Sequence, residues 1–168
     1  MDKAMWPWGD VGADMGTARS GGWPAGPRLV SGPAPLISMK AVLFSGNRVL
    51  LLREPCGNWD LPGGRIEGEE SPAAALAREC AEEIGVAVTA GPQLDSHARL
   101  RPDGARRLVV TVLGRCAHPF ALEDLVLSAE HDRAVLVSVA EALALDLKPH
   151  FQRAIRAAGD LIGRPGAS

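Results

Sequence analysis

The chain contains no tyrosine, and its aromatic residues are four tryptophans and three phenylalanines among 168 residues. A groove for single-stranded nucleic acid needs aromatic platforms on which successive bases stack, and this chain has too few to build one. Trp6, Trp8 and Trp23 all lie near the beginning, leaving Trp59 for the rest of the molecule. Excess charge is missing as well. Eighteen Lys and Arg against 20 Asp and Glu give a net charge of −2, so a polyanion feels no bulk attraction and any anion must be held by local groups. Cys56, Cys80 and Cys116 are odd in number and widely spaced, which argues against a disulfide framework or a Cys-x-x-Cys site. His97, His118, His131 and His150 show no spacing that suggests zinc or nucleophilic catalysis, and read as surface or packing residues. No apolar run is long enough to span a membrane and no secretory leader pattern is seen. A reducing cytoplasm is the expected setting.

What is present is enough apolar residue, 46%, for one packed domain. Residues 1–35 stand apart, being rich in Gly and Pro and without helical or strand period, a composition that cannot bury a core. They are expected to be a disordered extension, or a segment upstream of a start at Met39; a tryptophan-anchored interaction segment is the sharper alternative. The domain is expected over residues 36–163. Apolar runs at 36–45 and 48–53 flank Gly46-Asn47 as a hairpin. Short strands are expected at 86–89 and 94–101, then a strongly β-branched one at 106–116 after the turn Pro102-Asp103-Gly104. A strand at 134–139, a helical turn at 140–145 and an amphipathic helix at 149–162 follow, the last with Phe151, Ala154, Ile155, Ala158 and Ile162 at helical spacing. Strands and helices mix without βαβ alternation, so the fold class is α/β, with a mixed sheet and helices packed on it.

The densest information lies in residues 64–86, GRIEGEESPAAALARECAEEIGV. Ser71 before Pro72 is a helix start, and Gly85 a left-handed stop, so the helix runs from Pro72 to Ile84. Glu79, Glu82 and Glu83 fall within about a third of its circumference, while Ala73, Leu76, Ala77, Cys80, Ala81 and Ile84 form the face expected to be buried. Three carboxylates at helical spacing repel each other and sit toward the negative end of the helix dipole. Arg78 relieves only part of this, and a divalent cation would relieve the rest. Oxygen ligands of this kind suit magnesium or manganese. The entry Trp59-Asp60-Leu61-Pro62-Gly63-Gly64-Arg65 carries paired glycines that let backbone approach a ligand closely, and reads as the second wall of one site.

The spacing Gly64, five residues, Glu70, seven residues, Arg78-Glu79-Cys80-Ala81-Glu82-Glu83-Ile84-Gly85-Val86 resembles, without a gap, the signature of the Nudix hydrolases. The resemblance implies an α/β/α sandwich with a loop–helix–loop catalytic motif, and hydrolysis of a diphosphate joined to another moiety with magnesium or manganese. It assigns Glu79, Glu82, Glu83 and the Gly63 carbonyl to metal, Arg78 to orienting the glutamates, and Gly64 and Glu70 to holding the loop. Metal would activate the attacking water and stabilise charge on phosphorus, and a carboxylate would take the water proton. Glu82, Glu83 and Glu130, the last in the loop before a later strand, are the candidates for that base.

Arg99, Arg101 and Arg106, with Arg107, bracket the turn at 102–104 and are candidate phosphate ligands; as polar positions of two strands they have an equally simple structural role. Strand alternation sends Arg106 and Arg107 to opposite faces. The expected partner is a small nucleotide or nucleoside-diphosphate derivative, with nucleoside triphosphates and ADP-ribose-like sugars leading. Membrane and nucleic-acid partners are not expected, and oligomeric state is left open, a homodimer included. A non-catalytic nucleotide-sensing or scaffold module is the alternative, against which every acidic signature residue has been kept. An RNA 5′-end pyrophosphohydrolase ranks last, for want of aromatics.

Overall fold

The computed structural model describes residues 35–100 and 104–163. Residues 1–34, and with them the expected N-terminal extension, lie outside the described residues, as do Arg101 and Pro102. The elements are β1 (Leu36–Val42), β2 (Phe44–Ser45), β3 (Arg48–Arg53), β4 (Trp59–Asp60), α1 (Pro72–Ile84), β5 (Val88–Leu100), β6 (Arg106–Cys116), β7 (Arg133–Val137), α2 (Val139–Ala144) and α3 (Pro149–Ile162). A 3-10 turn, Leu122–Asp124, lies between β6 and β7. In one sheet β6 is central, parallel to β1 and antiparallel to β5. In the other, β3 pairs antiparallel with β2, β4 and β7.

Side-chain alternation builds two cores from the same strands. Met39, Ala41, Leu43, Leu50 and Leu52 pack with Leu76, Cys80 and Ile84 of α1. Val42, Val49 and Leu51 point the other way, to Ala142 of α2 and to Phe151, Ala154, Ile155 and Ala158 of α3. Strands buried on both faces read as continuous apolar runs rather than alternating ones, which is why Arg48–Arg53, RVLLLR, carries four consecutive buried residues. The layers are therefore helix, sheet and helix.

Three expectations need correction. The run at 36–45 is not one strand: β1 joins β6, and only Phe44-Ser45 folds back on β3 around Gly46, at φ 59°. The expected strands at 86–89 and 94–101 are one strand, β5, whose register shifts between Ala90 and Gln93 and again between Gln93 and Asp95. Gly91-Pro92 causes the interruption: proline lacks a ladder donor and is tolerated on an edge strand or at a bulge, and a Cβ at Gly91 would strike the Leu113 carbonyl. Trp59-Asp60, expected within a loop, pairs with Leu52 and Arg53 as β4.

Candidate active site

Helix α1 begins as its residues dictate. Ser71 Oγ accepts from the Ala74 N–H at 3.2 Å, and Gly85 closes the helix at φ 71° with its N–H on the Ala81 carbonyl. The buried face is rotated from the expected one: Ala73 and Ala81 are exposed, while Ala75 and Glu83 are buried with Leu76, Cys80 and Ile84. The rotation follows from what covers the helix. The Ser128 N–H bonds the Glu83 carbonyl at 2.9 Å and the Val126 N–H that of Ile84 at 3.1 Å, drawing the 126–128 loop over the last turn.

The glycine-rich loop is strung along β1 by Met39 N–H to Gly64 O at 2.8 Å, Ala41 N–H to Pro62 O at 2.9 Å and Ile66 N–H to Ile37 O at 3.0 Å. A Cβ at Gly63, whose φ is 118°, would strike the Met39 carbonyl, and one at Gly64 would overlap the Glu79 carboxylate. Glycine is required because strand and helix close on the loop from both sides.

Glu83 is 5% exposed and accepts a hydrogen bond from the Gly63 N–H at 2.7 Å. Burial pushes its carboxyl up to about 7; Lys40 and the Gly63 N–H oppose the shift, and Glu79 and Asp60 add to it. Arg78 ties the acidic side chains together. Its guanidinium donates to Glu70 at 2.7 and 3.2 Å, to Glu79 at 3.0 Å, to Glu82 at 3.2 Å and to the Arg65 carbonyl at 3.0 Å. Hydrogen bonding to Arg78 first, and to the Glu67 N–H second, holds Glu70 below the usual carboxylate range.

A cavity of about 500 Å³ opens beside these groups, with Glu54, Glu79, Glu83 and Glu130 in its lining. Burial works against ionisation of Glu54, but hydrogen bonds from Cys56 and Asn58 leave its carboxyl below its ordinary value. The Asp60 carboxylate, almost closed to solvent, meets Lys40 and Lys148 at 3.5 Å each. Residues of one face of the sheet β1-β6-β5 also line the cavity: Ser38 and Lys40, Arg107 and Val109, His97 and Arg99. The first residues of α3 complete it, with His150 stacked on His97 at 4.6 Å between ring centroids. Burial chiefly, and then His97, pulls the His150 imidazole down to about 4.

The family model for the NUDIX domain matches residues 35–158. The chain belongs to the Nudix family. Among curated relatives, the CTP pyrophosphohydrolase of Escherichia coli is 31% identical over 65% of this chain and 80% of its own length. The 8-oxo-dGTP diphosphatase of Proteus vulgaris is 42% identical over 34% of this chain and 55% of its own. The solved MutT protein from Methanosarcina mazei superposes with a TM-score of 0.65 at 26% identity, covering 80% of this chain and all of that one.

Within this Nudix fold the sequence candidates separate. Gly63, Glu79, Glu83 and Glu130 line the cavity, as does Arg99. Glu82 does not: its side chain is 61% exposed and turned to Arg78. Arg106 lies off the cavity too, in a shallow groove with Ala98, Arg99 and Leu100, while Arg107 faces in. Among the described residues no three His, Cys, Asp or Glu side chains converge on one point. Lys40, Glu54, Lys148 and the His97–His150 stack escaped sequence reasoning, since each is brought in by pairing between distant segments. The histidines, read as separate surface or packing residues, come together because β5 passes under the start of α3. The polar Ser38 and Lys40 alternating with Met39 and Ala41 is the signal that β1 has one wet face.

Proposed function

We propose that this chain is a divalent-cation-dependent pyrophosphohydrolase that cleaves the diphosphate linkage of a small nucleoside-diphosphate derivative, a nucleoside triphosphate or an ADP-ribose-like sugar. As a Nudix protein it is an enzyme acting on phosphorus anhydrides. The observation that carries the cation dependence is the buried Glu83 carboxylate, held on the Gly63 N–H and sharing a cavity with Glu79. Burial raises this carboxyl to about 7 because its charged form is kept from water, and a cation beside it would favour that charged form. Hard oxygen donors fit magnesium or manganese. Glu79, Glu83 and the Gly63 carbonyl would hold the ion, with Glu82 joining on release from Arg78. When bound, such an ion activates water and offsets charge on the phosphoryl oxygens.

The chain's own groups do the rest. Arg78 restrains Glu79 and Glu82 from the side and fixes the loop through Glu70 and the Arg65 carbonyl. Lys40, pinned by Asp60, offers positive charge to a substrate phosphate. Glu130, at the cavity lining and outside the Arg78 cluster, is free to accept the proton of the attacking water, in competition with Glu83. Cytoplasmic placement belongs to the same reading; no helix among the described residues is long and apolar enough to cross a membrane. The test is a screen of nucleoside diphosphate and triphosphate derivatives with magnesium, products resolved, and repeated in excess EDTA. Turnover that persists in EDTA would refute the cation requirement, and no turnover of any anhydride would refute the activity.

A further inference from the structure

The loop that carries Glu130 is held at both ends by segments far away in the chain. Before Glu130, the Ser128 N–H bonds the Glu83 carbonyl at 2.9 Å and ties the loop to the last turn of α1. After it, the Asp132 N–H bonds the Arg53 carbonyl at 3.0 Å. The Asp132 carboxylate also accepts two hydrogen bonds from the Arg53 guanidinium, from Nε at 2.9 Å and from Nη2 at 3.0 Å. Between these ends the Glu130 N–H reaches Ser128 Oγ at 3.4 Å and the His131 N–H the Ser128 carbonyl at 3.2 Å. His131 is 8% exposed, whereas Glu130 stays open to solvent and lines the cavity.

Arg53 is the last residue of β3, and Glu54, next in the chain, lines the same cavity. One strand end therefore sets two carboxylates, Glu54 through the backbone and Glu130 through Asp132. Arg53 lies directly opposite Arg133 of β7. Like charges so placed repel, and the Asp132 carboxylate offsets them; its hydrogen bonds to Arg53 first, and then the charges of Arg53 and Arg133, hold it below its ordinary value. An ion pair with both side chains about one-third exposed, 34% and 38%, adds little to overall stability. Two parallel bonds nevertheless fix direction as well as distance, so the effect of the pair is local order.

Resting on the hydrolase reading above, we propose that Arg53 and Asp132 are positioning residues that hold the 128–132 loop so that Glu130 meets the attacking water. Neither is among the described residues lining the cavity, and the pair acts through Glu130 alone. A proton acceptor works only within hydrogen-bond reach of its proton. Without the guanidinium the Ser128 end of the loop stays anchored, and the other end keeps a single backbone bond.

The test uses the full chain with Arg53→Gln, Asp132→Asn and the two combined. With magnesium and a nucleotide that the parent hydrolyses, each single variant is expected to lower kcat about tenfold and to keep KM within about twofold. The combined variant should lose no more than the slower single one, because the same interaction is removed in each. In a Glu130→Gln background, itself slowed, Arg53→Gln should cost nothing further, which a general loosening of the fold would not give. Parent-like kcat in both single variants, or a full additional loss in the Glu130→Gln background, would overturn the proposal. Glu130→Gln turning over at the parent rate would overturn it too, assigning the proton to Glu83 and leaving the hydrolase reading intact. Hydrogen exchange in EDTA needs no turnover. The amides of residues 130–132 are expected to exchange about fivefold faster in Arg53→Gln while those of α1 keep parent rates. Unchanged exchange in the loop would overturn the holding role. If the parent cleaves no anhydride, the hydrolase reading fails, and exchange alone decides whether the pair holds the loop.

Discussion

Glu83 and Glu82 are neighbours in sequence, yet opposite in environment. One is 5% exposed on a backbone N–H, and the other is a surface carboxylate shared with Arg78. Either changed to Gln is expected to lower kcat by roughly 10²-fold or more, the range of lost metal or acid–base assistance. Steady-state rates of folded variants check this, and parent-like turnover in both would displace the site. The folded Glu83 carboxyl sits at about 7, above its unfolded value of about 4.3. Its contribution to stability is therefore complete below that unfolded value and is lost as pH rises through 7. In EDTA, Glu83→Gln should melt above the parent at pH 8 and level with it near pH 4. His150 titrates with the opposite sign. Its folded value of about 4 lies below the free value of about 6.5, so it supports the fold above pH 6.5 and withdraws that support as pH falls toward 4. A His150→Gln variant should show a flatter melting profile between pH 4 and 7, with a parent-like slope counting against the burial.

At the scale of elements, helices α1 and α3 and strand β6 were legible to the residue. Their ends carry local chemistry: Ser71-Pro72 and Gly85 for α1, Pro149 for α3, and an unbroken β-branched run for β6. Ser71→Ala should cost about 1 kcal/mol through the lost cap, measured by denaturant titration. A shift under about 0.3 kcal/mol would mean that packing alone sets the helix start. What escaped is set by contacts far apart in the chain. Nothing local in the Gly91-Pro92 pair announces that β5 continues through it, because continuity depends on the partner β6. Likewise Glu83 becomes buried where the 126–128 loop and the Gly63 loop meet the last turn of α1, and not through the helix's own period. The signature carboxylates of the cavity were readable from motif spacing, and Arg99 and Arg107 were named as phosphate candidates, whereas Lys40 and Lys148 were not, since they lie on β1 and before α3, far apart in the chain. Gly64→Ala tests how tightly loop and helix are fitted. Its Cβ would displace the Glu79 carboxylate, so activity should fall by roughly tenfold or more in a protein that still folds. Undiminished kcat would show that Glu79 has room to move.

For the molecule as a whole, residues 1–35 lack helical or strand period and carry none of the motif residues. Removing residues 1–35 is accordingly expected to leave both melting temperature and hydrolysis unchanged. A loss of more than a few degrees would reveal packing by the N-terminal tryptophans. The cut must not go further, because β1 begins at Leu36 and a chain starting at Met39 would forfeit three of its pairs with β6.

The interleaving along β1 has a consequence for how such a protein changes over generations. Ser38 and Lys40 face the cavity while Met39 and Ala41 face the core, so ligand preference and foldedness are written in alternate letters of one word. Point replacements at 38, 40, 97, 99 or 107 can redirect recognition while the core side chains stay where they were. A one-residue insertion or deletion within the strand does the reverse: it exchanges the two faces, sending an ammonium group among leucines and a methionine into the cavity. New specificities should therefore arise here by substitution alone, with changes of length confined to turns such as Gly46-Asn47, where no Cβ would meet a neighbour.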